Sequence, residues 1–264
     1  MKKTTLLRVL SVMSLLVLLF SFASCKNESI KETESGSSEN VPSEKKIYLP
    51  YTMLDRSEGC KYTYYYDEYG NETKTTKEDL NGNLQATWIC EYDGNHNLTK
   101  KSVDSGNGTL FVQLIQTYND KGNLLEKRES STAGEEVYTY RYDEQNRLAS
   151  VIHGGEVIET YSYEADGSYR VQNTLDPNEY RLYDSDGRIK ERSISSKLKL
   201  VYSYNSDGAL TECDTYSGED ITKKTVYSLD ENGNTVKVTQ VSASGTETVL
   251  GEYEYKEYTV KVKE

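Results

Sequence analysis

Histidine is almost missing from this chain: His96 and His153 are the only two in 264 residues. Neither has a second candidate ligand at metal-binding spacing, so no zinc site is predicted. Cysteine is scarce as well. Beyond Cys25 there are Cys60, Cys90 and Cys213, an odd number that implies no full disulfide framework. One pair could form in an oxidising compartment, buried thiols would serve equally, and the spacing matches no zinc motif. Positive charge is in deficit, with 31 Lys and Arg against 43 Asp and Glu and a net charge of −12. That argues against nucleic acid, which needs basic stripes, and against unassisted binding to anionic lipid.

Catalytic phrases are lacking too. Serines are abundant but none stands in a nucleophile elbow. Asp184 with Asp186, or Asp230 with Glu231, could suggest a calcium loop. Counting from Leu182, however, the twelfth residue is Ser193, where an EF-hand needs glutamate. These carboxylates read as turn caps. No catalytic residue, metal ligand or cofactor is assigned, and the expectation is a protein that is not an enzyme.

What the chain does have is tyrosine, 24 of them, arranged in a repeated phrase. Eight copies begin at Tyr66, Tyr92, Tyr118, Tyr142, Tyr163, Tyr183, Tyr204 and Leu229, in steps of 20 to 26 residues. A period of this size signals a repeat architecture. In Tyr118-Asn119-Asp120-Lys121-Gly122, Asn119 suits the first position of a type I turn, and Gly122 the left-handed residue that returns the chain to the sheet. Six copies carry glycine in that slot: Gly70, Gly122, Gly167, Gly187, Gly208 and Gly233. The other two carry His96 and Asn146, from residue types enriched at positive φ.

Each tyrosine ends a stretch of period two. Tyr62, Tyr64 and Tyr66 share one face, as do Trp88, Cys90 and Tyr92, and Tyr138, Tyr140 and Tyr142. Between them stand Thr63, Glu91, Thr139 and Arg141, the alternation of a half-buried antiparallel strand. A more polar strand runs back after each turn, and return turns are predicted at 79–84, 105–108, 133–134, 154–155, 176–178, 217–218 and 244–245. One repeat is one hairpin. The expected fold is all-β, with some sixteen antiparallel strands in a long twisted, coiled sheet that covers its own tyrosine face. Stacked hairpins put the tyrosines in rows, each cross-strand aromatic pair contributing roughly 0.2–1 kcal/mol.

Tyr183-Asp184-Ser185-Asp186-Gly187-Arg188-Ile189 resembles a YD repeat, the unit of the RHS family. Tyr142-Asp143-Glu144-Gln145-Asn146-Arg147-Leu148 and Tyr66-Asp67-Glu68-Tyr69-Gly70-Asn71 are similar to it. The resemblance covers about residues 60–240 and implies sheets that spiral into a hollow shell. In that family the shell encloses a toxin in bacterial members and serves adhesion in animal ones. This chain has neither a recognisable self-cleavage motif nor a cargo domain after its array, so the encapsulating role is not carried over. A MORN-type hairpin array fits less well, because the tyrosine–aspartate phrase matches the YD unit.

The N-terminus reads as an address. Lys2, Lys3 and Arg8 precede an apolar stretch from Leu6 to Phe22, short for a membrane span, and Phe22-Ala23-Ser24-Cys25 resembles a bacterial lipobox. Residues 1–24 are expected to be a lipoprotein signal peptide, with Cys25 the site of lipid attachment. Residues 25–46 form a Ser-, Glu- and Lys-rich tether, and 47–264 one repeat domain. Losing the three basic leader residues would leave a charge of −15. A transmembrane barrel is not expected, since the face opposite the tyrosines is Lys, Glu, Thr and Ser where lipid would demand apolar residues.

The function expected is that of a cell-envelope lipoprotein, membrane-held through its lipid, binding carbohydrate or a surface protein. Tyrosine suits such contacts because it is flat, rigid and amphipathic. The alternatives are a periplasm-facing structural or toxin-accessory lipoprotein and an unrecognised hydrolase.

Overall fold

Alternating tyrosines, glycine-punctuated turns and the near absence of proline leave the chain little to build but hairpins. The computed structural model describes residues 43–262; the leader, Cys25 and residues 26–42 of the tether lie outside the described residues. Eighteen strands follow one another. They are β1 (Glu44–Asp55), β2 (Cys60–Tyr66), β3 (Glu72–Asp79), β4 (Leu84–Tyr92), β5 (Leu98–Asp104) and β6 (Leu110–Tyr118). Next come β7 (Leu124–Ser131), β8 (Gly134–Tyr142), β9 (Leu148–His153), β10 (Glu156–Tyr163), β11 (Tyr169–Asn173) and β12 (Tyr180–Tyr183). The last are β13 (Ile189–Ser195), β14 (Leu198–Tyr204), β15 (Leu210–Ser217), β16 (Asp220–Leu229), β17 (Thr235–Ser242) and β18 (Glu247–Lys261).

Every strand pairs antiparallel with its sequence neighbours, and β1 pairs with both β2 and β18. The sheet is therefore a closed 18-stranded antiparallel barrel. This corrects the expectation of a long coiled sheet and of some sixteen strands. The staves that close the ring are β1 and β18, neither of which contains a complete turn phrase. β1 also carries Pro50, a residue that argues against a fully paired strand. Its place explains the tolerance: the register slips between Pro50 and Thr52, leaving Tyr51 as an extra residue in a bulge.

Closure has a local cause. The pairing register slips by one residue beside the last residue of seven phrase-bearing strands, leaving Thr73, Thr99, Leu125, Ala149, Lys190, Thr211 and Val236 as bulged residues. Three of the bulged threonines donate their hydroxyls across the pair: Thr73 to the Tyr65 carbonyl, Thr99 to Glu91 and Thr211 to Ser203. Each bulge bends its strand and increases the local twist, and the same bulge repeated hairpin after hairpin curls a sheet until its edges meet. Once they meet, no unpaired edge is left to template aggregation.

The tyrosine face is the inner wall. Tyr202 and Tyr253 are only 8% and 9% exposed, and the deepest residues, Cys60, Val171 and Val238, lie on the same face. Groups two strands apart approach one another there, as on a concave surface: Arg181 on β12 reaches Glu159 on β10 at 2.9 Å. The residue before the phrase is polar and outward in six of the eight copies, while Tyr65 is an exposed aromatic and Leu182 is half-buried. Glu91, Thr117, Arg141, Ser162, Ser203 and Ser228 are all exposed.

Candidate functional site

All eight phrase turns lie at one end of the barrel, together with the start of β1 and the end of β18. In each, the residue after the tyrosine closes a short loop with two backbone bonds. Asp67 N–H donates to the Asn71 carbonyl at 2.9 Å, and Gly70 N–H to the Asp67 carbonyl at 3.1 Å. The slot residue is left-handed throughout. Gly122 has φ 78°, while His96 and Asn146, the only described non-glycine residues at positive φ, have 62° and 63°.

The turn carboxylates are occupied by this geometry. Asp93 Oδ1 accepts the N–H groups of Asn95 and Asn97 at 2.9 Å each, and its Oδ2 the Asn97 amide at 3.0 Å. Asp143 and Asp184 take the guanidinium groups of Arg147 and Arg188 at 2.8 and 2.7 Å. The Asn97 backbone N–H, then its side chain, hold the Asp93 carboxyl below its ordinary range; for Asp143 the Arg147 backbone N–H does so first. Carboxylates employed as caps are poor candidates for acid–base chemistry.

The phrase tyrosines are tied down in the same systematic way. Their hydroxyls donate to the carbonyl of the first residue of the preceding return strand. Tyr92 reaches Glu72, Tyr118 reaches Leu98, Tyr142 reaches Leu124, Tyr163 reaches Leu148 and Tyr204 reaches Ile189, all at 2.8–2.9 Å. Tyr66 donates to Pro50 of β1 at 2.8 Å, and its ring meets Tyr258 of β18 edge-on with centroids 5.4 Å apart. Tyr183 instead stacks on Tyr169, the first residue of β11, with ring centroids 4.5 Å apart. Burial, ahead of any charge, pushes the Tyr140 and Tyr204 hydroxyls up to about 12. The rings are wall and the hydroxyls are rivets, which leaves these tyrosines little freedom to stack on a ligand.

The histidines are absorbed likewise. His96 lies against Tyr69, centroids 4.0 Å apart, and His153, the last residue of β9, stacks on Tyr138 at 4.6 Å. Cys60 and Cys213 are buried and, with Cys90, are free thiols, so no pairing is made among them. One group escaped the sequence reading: Asp55, Glu58 and Cys60 place three potential ligand atoms within 4.8 Å of one another. One oxygen of each carboxylate is already engaged, and the Cys60 thiol donates to Glu58 Oε2. Asp55 Oδ1 accepts from Ser57 N–H, Ser57 Oγ and Glu58 N–H, while Glu58 Oε2 holds the Lys77 ammonium at 2.6 Å.

At the opposite end of the barrel the connection 174–179 joins β11, which stops at Asn173, to a β12 of only four residues, while β13 runs past the start of β12 to Ser195. The β13–β14 hairpin projects beside that connection. Between them is a cleft of about 240 Å³, bordered by Asn178 and Tyr180 on one side and by Ser193, Ser195, Lys197 and Lys199 on the other. Tyr180 is fixed from behind by the Arg170 guanidinium, 3.8 Å from its ring centroid, and its hydroxyl donates to Glu191 at 2.6 Å. The hairpin turn Ser196–Lys197 has no glycine, so no turn signal marked it in the sequence.

No curated protein matches the chain. Among solved structures, it is similar to a crystal structure of TcdB2-TccC3-TEV at 16% identity over 71% of this chain and 10% of that one, with a TM-score of 0.34. Against the Photorhabdus luminescens Tc holotoxin pore the identity is 15% over 74% and 9%, with a TM-score of 0.30. The chain thus spans about a tenth of the length of these toxin chains. A porin-like protein from Bacteroides uniformis matches at 15% identity over 78% of this chain and 98% of that one, with a TM-score of 0.44. Residues 118–158, from the third phrase tyrosine into β10, match the family model of the RHS Repeat, so the hairpin unit stacked around this barrel includes an RHS repeat.

Proposed function

We propose that this protein is a non-enzymatic, lipid-anchored barrel of a bacterial cell envelope that binds a carbohydrate or protein partner at the cell surface, on the outer membrane where the envelope has one. The observation that carries the reading is the chemistry of the outer wall. A barrel that spans a bilayer shows lipid an apolar band flanked by aromatic girdles. Here six of the eight positions before a phrase are polar and exposed (Glu91, Thr117, Arg141, Ser162, Ser203 and Ser228), and exposed apolar side chains such as Tyr65, Phe111, Ile115 and Ile221 stand among polar ones. A wall of this kind suits water, so attachment falls to Cys25 and the polar tether that follows it. The employment of turn aspartates as caps and of phrase tyrosines as rivets supports a scaffold over a catalyst.

Proteinase K on intact cells, followed by blotting for residues 47–264, tests the location. Loss of the domain without lysis supports surface display. Protection until the envelope is opened would replace this reading by the periplasm-facing accessory role. A Cys25→Ala variant should leave the membrane fraction, and retention there would remove the lipid anchor from the account. Pull-downs with the purified chain test the binding itself: failure to retain any envelope glycan or surface protein would sink it.

A further inference from the structure

We propose that the cleft beside β12 is a binding site for a small ligand bearing an oxyanion: a carboxylate, phosphate or sulfate. This deepens the binding role above and rests on it.

The charge of the cleft runs opposite to that of the chain. The chain carries a net charge of −12, yet none of the residues bordering the cleft has a carboxylate, while two are lysines. The Lys197 ammonium has no ion-pair partner among the described residues. Lys199 has a long pair, 3.6 Å to Glu191 Oε2, and lies over the Tyr216 ring at 5.3 Å from its centroid, while the other oxygen of Glu191 is taken by the Tyr180 hydroxyl. Both ammonium groups therefore retain capacity for an incoming anion, and N⁺–H···O⁻ bonds are among the stronger hydrogen bonds available.

The hydroxyls point to the same chemistry. Ser195 Oγ accepts the backbone N–H groups of Lys197 and Leu198 at 3.3 and 3.2 Å. With its lone pairs so occupied, its own O–H is left to donate outward. Asn178 adds an amide across the opening. The Tyr180 and Ser193 hydroxyls are spent on Glu191 and the Ser195 carbonyl, so the free donors of the wall are the Lys197 ammonium, the Ser195 hydroxyl and the Asn178 amide, with Lys199 shared with Glu191 behind the lining.

Size restricts the carrier. At about 240 Å³ the cleft is smaller than the roughly 300–1,000 Å³ of pockets for drug-sized ligands. It has room for a free anion or for a single ring bearing one. The opening lies where the connection 174–179 enters β12 at Tyr180 and β13 runs on past it to Ser195.

Calorimetric titration of the full chain in mild detergent with inorganic phosphate, glucuronate and glucose tests the proposal. The comparison protein is the double variant Lys197→Gln, Lys199→Gln, whose fold is checked by circular dichroism and whose side chains stand at the surface. Glucuronate or phosphate is expected to bind at least about tenfold more tightly than glucose, and the double variant to lose at least about tenfold, the scale of losing charge-assisted bonds. Phosphate matching glucuronate would assign the free ion as ligand, and tighter glucuronate an acidic sugar. No anion binding, equal affinity for glucose, or an unaffected double variant would overturn the proposal. An envelope glycan retained equally by both proteins would remove the cleft from the account while the binding role stands; retention by neither would remove both.

Discussion

The hydroxyl of Tyr118 donates to the carbonyl of Leu98 at 2.8 Å, twenty residues back in the chain and one hairpin away around the barrel. The same bond recurs at Tyr92, Tyr142, Tyr163 and Tyr204, with Tyr183 stacking on Tyr169 in its place, so the repeat carries its own fastening. Removing only the hydroxyl by Tyr118→Phe should cost about 0.5–1.5 kcal/mol, the net worth of one hydrogen bond. Tyr118→Ala should cost about 2–4 kcal/mol by adding lost ring packing. Urea unfolding of the two variants separates the terms; equal losses would mean that the bond contributes nothing.

The left-handed slot gives a paired test. Gly187 has φ 77° and Gly94, in the neighbouring kind of position, has no positive φ; a Cβ at either would meet open space. Sterics with neighbours are thus equal and only backbone conformation differs. Gly187→Ala should destabilise by about 1–2 kcal/mol, whereas Gly94→Ala should be neutral or stabilising by up to about 1 kcal/mol. Melting temperatures of the two variants would show the asymmetry.

Both ends of the pH scale should weaken the barrel. The Asp79, Asp93 and Asp143 carboxyls sit below their ordinary range in the fold. Their contribution is present above the unfolded value near ~3.9 and is lost as pH falls through the lower folded values. Buried tyrosines act oppositely. The Tyr140 and Tyr204 hydroxyls are raised to about 12. Their contribution is intact below the unfolded value near ~10 and disappears as pH rises toward about 12. Tyrosinate absorbance should therefore rise cooperatively with loss of β circular dichroism, and independent titration of all tyrosines near pH ~10 would contradict the burial.

Closure can be tested by opening the seam. Without residues 1–55, β2 and β18 would present two unpaired edges, where β1 now pairs with Tyr62 through Met53 and with Tyr253 through the same residue. Exposed edges recruit other strands. The shortened chain should sediment as oligomers or aggregates under conditions that keep the intact chain monodisperse, and a monomeric, stable product would show that β1 is dispensable.

Much of the hairpin was legible because its signals are local. A left-handed residue four places after a tyrosine has steric requirements that any reader of the chain can apply, and they held down to His96 and Asn146. Period-two alternation likewise assigned the tyrosines to one face. The turn at Ser196–Lys197 stayed hidden because two residues of ordinary chemistry can make a tight turn when the strands on either side are already held. The lysine-bearing cleft was invisible for a related reason: it is made by the late start of β12 at Tyr180 and by residues from two hairpins.

What the chain settles alone, then, is the unit: a tyrosine-ended strand, a capped turn, a bulge and a return strand, each dictated by steric and hydrogen-bond rules that act over a few residues. How many units make a ring was decided by tertiary structure. Curvature is a sum of small bends, and closure depends on whether that sum brings β18 to β1, across more than two hundred residues, with matching register. No local rule contains that condition. The meeting of Tyr66 with Tyr258 of β18 and the burial of the tyrosine face both follow from it.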